Sequence, residues 1–467
     1  MGHNRSIRGE RRWVGVLALI AAACCAATTV VFSPGYMSPD TMSQLNQAMG
    51  ERPLSDWHPP VLSLAWRALI ALTGTPASMA ALQSVILWGA LWVIAGCVWE
   101  LTASRPGSLA VLGLGLTPHV LTFAGVVWKD VHMAFALLAA SAVALVGLRL
   151  RGGPPARRWA LLGLGVLFLA YAALVRKNAI FAVIPVFVML VLALWHTPGR
   201  RRWAMSTAVL AVGLAVPAVA VSSLARPVQT SQGAQIMLDD LVHVLSVEEL
   251  QSAAVSQDLR GRLVAAAKEC DRIGALSDAY WACYERRPDG LVRDAEELTS
   301  LWVGGMADHV PGYLQYRLQL FSELLFDTSF RYQDGVIDND LGLGVSHPRL
   351  EATLQRYITG MGEDLPFLFA GWFWLAAALV LSIRPGKGVF AMPVRALGIS
   401  AAAYVLGYLP IMPATDYRYV YWPAIAVTLG LLLSWLGRGT TPPPADPGVA
   451  RNRDMPEHQP VDSKNQP

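Results

Sequence analysis

The sequence predicts an all-α polytopic membrane protein of about ten transmembrane helices, and three observations carry that reading. The 467 residues are 54% hydrophobic and only 15% charged, with a mean hydropathy of +0.41, a balance foreign to water-soluble globular chains. Apolar runs near the roughly 20 residues that a bilayer core requires recur near 13–33, 79–102, 107–126, 129–149, 159–175, 179–196, 203–225, 365–383, 389–412 and 419–437. The basic residues between these runs also alternate. With the N-terminus inside, the inner segments hold fifteen: Arg5, Arg8, Arg11 and Arg12, then Arg105, Arg149, Arg151, Arg157 and Arg158, then Arg200 to Arg202, and finally Arg384, Lys387 and Arg438. The short outer loops hold six, Arg52, Arg67, Lys129, Arg176, Lys177 and Arg418, as the positive-inside rule requires. The net charge of +4 is thus topological information, and no nucleic-acid surface is expected.

Residues 1–12 read as a cytoplasmic N-terminus. A cleaved secretory signal competes for the first run, but that run exceeds a usual signal core and many spans follow it, which favours an uncleaved first helix. The stretch 34–78 is then an outer loop holding two short helices. Ser38 caps the first, with Pro39 and Asp40 in its opening turn and Met42, Leu45 and Met49 on one face. Pro59 and Pro60 open the second, Val61 to Leu72, whose only charge is Arg67. It is too short to span, and counting it as a span would invert every later loop, so both helices are expected to lie on the membrane surface.

Gly107 to Leu148 is about twice the length of one span, with Lys129 and Asp130 near its middle. A charge in the bilayer centre costs roughly 2.5–3.5 kcal/mol or more, so two spans joined at Trp-Lys-Asp are expected. Trp57, Trp128, Tyr417, Tyr419, Tyr421 and Trp422 at outer ends, with Trp159, Trp195, Trp203 and Trp435 at inner ends, read as interfacial belts.

Together, 13–225 hold seven spans, 226–363 form a helical periplasmic cap, 364–438 hold three more spans, and the Pro-rich tail 439–467 reads as disordered and cytoplasmic. Cys24, Cys25 and Cys97 lie in apolar segments, and no zinc or redox spacing exists. Cys270 and Cys283 share the cap, where a disulfide and two buried thiols are both open readings.

Outside the cap and the basic inner segments, ionisable residues gather in four outer loops: Asp40, Asp56 and His58; Lys129 and Asp130; Arg176 and Lys177; Asp416 and Arg418. A carboxylate that takes a proton from an attacking hydroxyl, beside cations that hold a phosphate leaving group, suits transfer from a lipid phosphate. Each residue also has a plainer reading. Asp40 could complement a helix dipole, Asp56 and His58 could be loop caps, Lys129 and Asp130 a paired turn, and the arginines headgroup contacts. Their common side favours a site.

The arrangement resembles the GT-C membrane glycosyltransferases, which use polyprenyl-phosphate sugars and include the lipid A aminoarabinose and protein O-mannosyl transferases. The resemblance lies in Ser-Pro-Asp at 38–40, the Pro-led helix at 58–66, a second span ending near Arg105, Trp-Lys-Asp at 128–130, Arg-Lys-Asn at 176–178 and the run 416–424 that opens the last span. It covers most of the membrane region but not the cap, and it looks closest to poorly characterised bacterial relatives of these enzymes. It implies an inner-membrane enzyme moving a sugar from an undecaprenyl-phosphate-type donor onto a glycan, lipid or protein acceptor at the outer face. Asp40 would be the general base. Arg418, with Arg176 or Lys177, would hold the donor phosphate, while Lys129, Asp416, Asp130 and His58 would complete the substrate site. Many relatives carry an acidic pair in this loop, whereas here Thr41 follows Asp40, so no metal or other cofactor is assigned. Two other classes compete, a polysaccharide polymerase or ligase and a lipid or solute transporter. A transporter should show internal repeats or ionisable groups at mid-membrane, where this chain offers only His119 and Arg395.

Overall fold

The structure, a computed structural model, describes residues 2–150, 153–284, 290–327 and 332–438. The expected disordered tail and Arg151 of the expected inner loop lie outside them. Ten helices make the first half: α1 (Gly2–Val31), α2 (Pro39–Met49), α3 (Pro60–Thr73), α4 (Ser78–Thr102), α5 (Arg105–Leu114), α6 (Pro118–Ala124), α7 (Lys129–Arg149), α8 (Pro155–Val175), α9 (Ile180–Trp195) and α10 (Arg200–Ala225). A cap follows with α11 (Gln232–Val244), α12 (Val247–Ser252), α13 (Gln257–Ile273), α14 (Ala295–Asp308), α15 (Val310–Phe326) and α16 (Pro348–Asp364). The chain then returns to the bundle with α17 (Gly371–Ile383), α18 (Ala391–Leu406) and α19 (Tyr421–Leu436). Among the described residues no strand forms, only isolated bridges.

The bundle is organised around α7. Every residue from Lys129 to Leu148 except Val146 is buried, because α4, α8, α9 and α19 surround it. A helix apolar on all sides needs such a setting. Lipid tails give helices no hydrophobic reason to associate, so close packing must do so, and small residues allow it. On α7 these are Ala134, Ala136, Ala139, Ala140, Ser141, Ala142, Ala144 and Gly147, all buried. At the other extreme, α10 buries only Ser206 and Leu210 and packs mainly on α8, which leaves most of its apolar surface for lipid.

Among the described residues, seven helices are long and apolar enough to cross a membrane. The expected single span at 107–126 is instead α5 and α6, bent by 45°. Pro118 lacks a backbone N–H and confines Thr117 to an extended ψ of 147°, which breaks the helix there. At the expected eighth and ninth spans stand shorter apolar helices, α17 with 13 residues and α18 with 16; a 3-10 turn, Pro366–Phe369, takes the start of the eighth. The aromatic belt also needs correction. Trp128, Trp195, Tyr419, Tyr421 and Trp422 are buried, because each ring packs inward or finds a polar partner within the protein. The Tyr421 hydroxyl donates to Val120 O at 2.7 Å and the Trp422 indole to Ser400 Oγ at 3.0 Å. Trp435, by contrast, is exposed.

The cap has its own apolar core, in which Leu238, Leu241, Leu250, Leu259, Leu263 and Leu298 are fully buried. Cys270 of α13 is bonded to Cys283, with their Cα atoms 5.3 Å apart.

Candidate active site

Asp40 owes its place to a backbone clamp. Just before it, Tyr36 N–H donates to Gly125 O and Val127 N–H to Tyr36 O, while Met37 N–H donates to Gly335 O and Ile337 N–H to Met37 O. The chain is thereby fixed between the loop ahead of α7 and the end of the cap. Gly125 is required there, because a Cβ at that position would enter the Phe32 ring. Ser38 then caps α2: its hydroxyl accepts from Thr41 N at 3.4 Å and from the Trp128 indole at 2.7 Å. Thr41 Oγ1 donates to Val127 O at 3.1 Å. At the far end Arg67 of α3 donates to Gln47 O and Ala48 O at 2.7 and 3.0 Å, satisfying carbonyls that a helix C-terminus leaves open. The only charge of α3 thus serves α2.

Held in this way, Asp40 Oδ2 accepts a hydrogen bond from Arg418 Nη1 at 2.9 Å. Arg418 is itself restrained by Asp416, whose Oδ2 lies 3.0 Å from Nε and whose Oδ1 accepts from the Arg418 amide at 2.9 Å. Its guanidinium sits 5.0 Å from the Trp128 ring centroid and 5.5 Å from that of Tyr419, close enough for cation–π attraction. On the other side, His58 Nε2 is 3.9 Å from Asp40 Oδ1, beyond hydrogen-bond reach. Lys129 Nζ approaches His58 Nδ1 to 3.4 Å. Burial and the Lys129 charge push His58 down to about 3, so its imidazole is neutral. Burial alone would raise Asp40, but Arg418 and the neighbouring cations more than offset this and hold its carboxyl well below the usual range. The carboxylate is nevertheless 35% exposed, because it opens onto internal space.

Arg176 and Asp130 form a second layer. Asp130 is fully buried, lines neither cavity described below, and lies 3.2 Å from Arg176 Nε. Arg176 also donates to Asn178 Oδ1 at 3.0 Å and to the Tyr408 hydroxyl at 2.8 Å. Lys177 stands apart, exposed, donating to Gln232 Oε1 at 3.1 Å. Asp56 ties the loop to the cap, accepting from Thr230 N and Oγ1 at 2.7 and 2.6 Å.

Two cavities meet at Asp40 and Arg418, which line both. The larger, about 1120 Å³, adds His58, Lys129, Arg176, Lys177 and Asp278 among apolar residues such as Phe181 and Ile411. The smaller, about 520 Å³, adds Glu323, Asp327 and Asp416 beside Trp128 and Tyr417. Five cationic side chains, Arg52, Lys129, Arg176, Lys177 and Arg418, line the first, whereas the second has four carboxylates and one guanidinium. The structure therefore brings Asp40, His58, Lys129, Arg176, Lys177 and Arg418 to one cavity, sets Asp416 on the other and keeps Asp130 behind the wall. Sequence reasoning missed Asp278, Tyr408 and Trp281. Asp278 and Trp281 belong to the cap, whose fold back onto the bundle has no local signature. Among the described residues, no group of His, Cys, Asp or Glu is arranged to hold a metal ion.

No protein family and no curated protein matches this chain. Among solved structures, the oligosaccharyltransferase AglB from Archaeoglobus fulgidus, in complex with an inhibitory peptide and a dolichol-phosphate, aligns over 91% of this chain with 14% identity and a TM-score of 0.40. ArnT from Cupriavidus metallidurans, bound to undecaprenyl phosphate, aligns over 86% of this chain and 78% of its own, with 13% identity and a TM-score of 0.35. The chain spans half the length of the AglB chain, 50%. The all-α architecture expected from the sequence is what the described residues form, with helices long and apolar enough to cross a membrane.

Proposed function

We propose that this protein is a glycosyltransferase of the bacterial inner membrane that moves a sugar from a polyprenyl-phosphate-linked donor to a hydroxyl of a glycan, lipid or protein acceptor at the outer face. The observation that carries the reading is the Asp40–Arg418 pair, 2.9 Å apart, standing where a cationic, partly apolar cavity meets an acidic one. The first suits a lipid-linked phosphate and the second a polar acceptor. Arg418, with Lys129, Arg176 and Lys177, holds the phosphate and stabilises the charge that collects on it as the sugar departs. Asp40 accepts the hydrogen bond of the attacking hydroxyl and takes its proton as the bond to the anomeric carbon forms. His58, neutral, is free to hydrogen-bond the sugar, and Asp130 fixes Arg176 from behind. No metal enters the scheme.

The test is to supply the purified full-length protein in lipid nanodiscs with synthetic undecaprenyl-phosphate-linked hexoses and pentoses, and to follow release of undecaprenyl phosphate. Mass spectrometry of envelope glycans from wild-type and deletion strains identifies the acceptor. A protein that consumes none of the donors, in a strain whose envelope glycans are unchanged by the deletion, sinks the reading.

A further inference from the structure

The cap places one more carboxylate in the larger cavity. Asp278 lies between α13 and the turn that carries Cys283, and its backbone is in the left-handed region at φ +61°, a conformation that costs a non-glycine residue about 1 kcal/mol or more. Such a cost persists only where surrounding contacts impose it. Here Asp278 N–H donates to Pro413 O at 3.1 Å, and the next amide, Ala279, donates to Asp239 Oδ1 at 2.9 Å. Pro413 belongs to the segment that leads to Asp416 and Arg418, and Arg317 of α15 holds the same segment by donating to Met412 O at 2.8 Å. Asp278 and Arg418 are thus mounted on one clamp. Among the described residues the Asp278 carboxylate takes no hydrogen bond and faces the cavity that Asp40 lines.

We propose that Asp278 is the second carboxylate of this site, the group that takes the acceptor proton on from Asp40. The inference rests on the transferase reading above. An acceptor oxygen forms its bond to the anomeric carbon, the bond from that carbon to the phosphate oxygen breaks, and the electron pair leaves with the polyprenyl phosphate. The hydroxyl proton moves to Asp40. It cannot remain there, because a carboxylate held by Arg418 binds protons weakly. Asp278 faces different neighbours: Asp239 of α11 and Asp40 of α2 repel its charge, and Arg418 attracts it. Around Asp239 stand His243, Tyr316 and Arg317. Burial, with Asp239 and Asp40, pushes Asp278 up to about 7 against the pull of Arg418. A group of that affinity can receive a proton at neutral pH and release it to water, and Asp40 and Asp278 line one cavity of about 1120 Å³, large enough to hold water.

Asp278→Asn is the informative variant, because asparagine keeps the shape and tolerates the left-handed conformation but cannot take the proton. Two measurements on the full-length protein in nanodiscs decide the matter. Infrared titration of wild type minus Asp278→Asn should show one carboxylic-acid band that disappears near neutral pH, and in Asp40→Asn that midpoint should move to lower pH because a repelling charge is gone. An Asp278 that stays ionised down to the ordinary carboxylate range, or a midpoint indifferent to Asp40, overturns the proposal. With an undecaprenyl-phosphate hexose or pentose as probe, wild-type kcat should rise with pH towards neutrality. Asp278→Asn should lower kcat about tenfold or more, leave donor KM within about twofold and flatten that rise. Wild-type turnover with an unchanged pH profile in the variant overturns the relay. If wild type consumes no donor and the deletion leaves the envelope glycans unchanged, the transferase reading falls, and the titration still decides whether Asp278 holds a proton near neutral pH under the influence of Asp40.

Discussion

Asp40 and Arg418 are 378 positions apart in the chain and 2.9 Å apart in the fold, so the loop that follows α1 and the entry to the last helix form one chemical unit. Each is over-restrained: Asp40 by the Ser38 cap and the clamp at Tyr36 and Met37, Arg418 by Asp416, Trp128 and Tyr419. Pre-orientation of this kind removes the cost of assembling charges during a reaction.

Asp40→Asn should insert and fold normally yet lose transfer. Asn keeps the size but cannot take a proton, and a general base contributes typically 10²–10⁴-fold. A mere helix-dipole partner would cost under about 1 kcal/mol of stability and leave turnover intact. Purified variants matched for expression are compared with a synthetic polyprenyl-phosphate sugar. Retention of more than about a tenth of wild-type turnover would falsify the base role.

Arg418→Ala should act chiefly on the donor. If the guanidinium holds phosphate in the ground state and the transition state alike, KM rises while kcat falls less. Arg418→Lys should recover little, since a point charge cannot hold Asp40, Asp416 and a phosphate at once. An unaltered donor KM in both variants would place the phosphate elsewhere.

Arg317→Met should destabilise the cap. The Arg317 guanidinium and Asp240 carboxylate are both buried and 2.7 Å apart, and Trp302 also donates to Asp240 at 2.8 Å. Removing one partner leaves a buried charge uncompensated, at a cost of about 3–5 kcal/mol. Thermal unfolding should show a clear fall in Tm, and Asp240→Leu added to Arg317→Met should recover most of it. No recovery would mean that the loss comes instead from the released Met412 carbonyl.

Local features were legible because they depend on neighbours in sequence. Ser38 as a cap, Pro39 and Asp40 in the first turn, the short Pro-led helix and the division of 107–148 at Lys129 all reappear. The bend at Pro118 was signalled by the proline but hidden by apolar residues on both sides. Trp128, Tyr419, Tyr421 and Trp422 are buried where an interfacial belt is expected, since an amphipathic ring serves a headgroup and a buried hydrogen bond equally well. Nothing local could place Asp278 on the cavity that Asp40 lines, because that placement depends on how a cap of more than a hundred residues folds back over the bundle.

The topology has its own check. In a cysteine-free background, Glu51→Cys and Glu248→Cys place thiols on exposed residues of the first loop and the cap, and Ala156→Cys places one at the start of α8. Intact spheroplasts treated with an impermeant maleimide should label the first two only, as the fifteen-to-six charge distribution requires. Labelling of Ala156→Cys alone would invert the protein.

Stability against pH should carry two opposed contributions from this site. His58 is pushed down to about 3 by burial and the Lys129 charge, from an ordinary value of about 6.5. Between those values the unfolded chain binds the proton and the folded one does not, so this contribution is complete above about 6.5 and is lost as pH falls towards 3. Its slope is at most about 1.4 kcal/mol per pH unit. Asp278 runs the other way. Pushed up to about 7 by burial and by Asp239, it binds a proton in the fold where the unfolded chain has already lost one. Its contribution is therefore present below about 4 and lost as pH rises towards 7. Across the shared window the two slopes partly cancel, and wild type should look less pH-sensitive than either variant. His58→Gln should leave a stability that falls with rising pH, and Asp278→Asn one that falls with falling pH. Denaturant unfolding of the three proteins from pH 4 to pH 7 measures this directly. Parallel curves would show that neither group changes its proton affinity on folding.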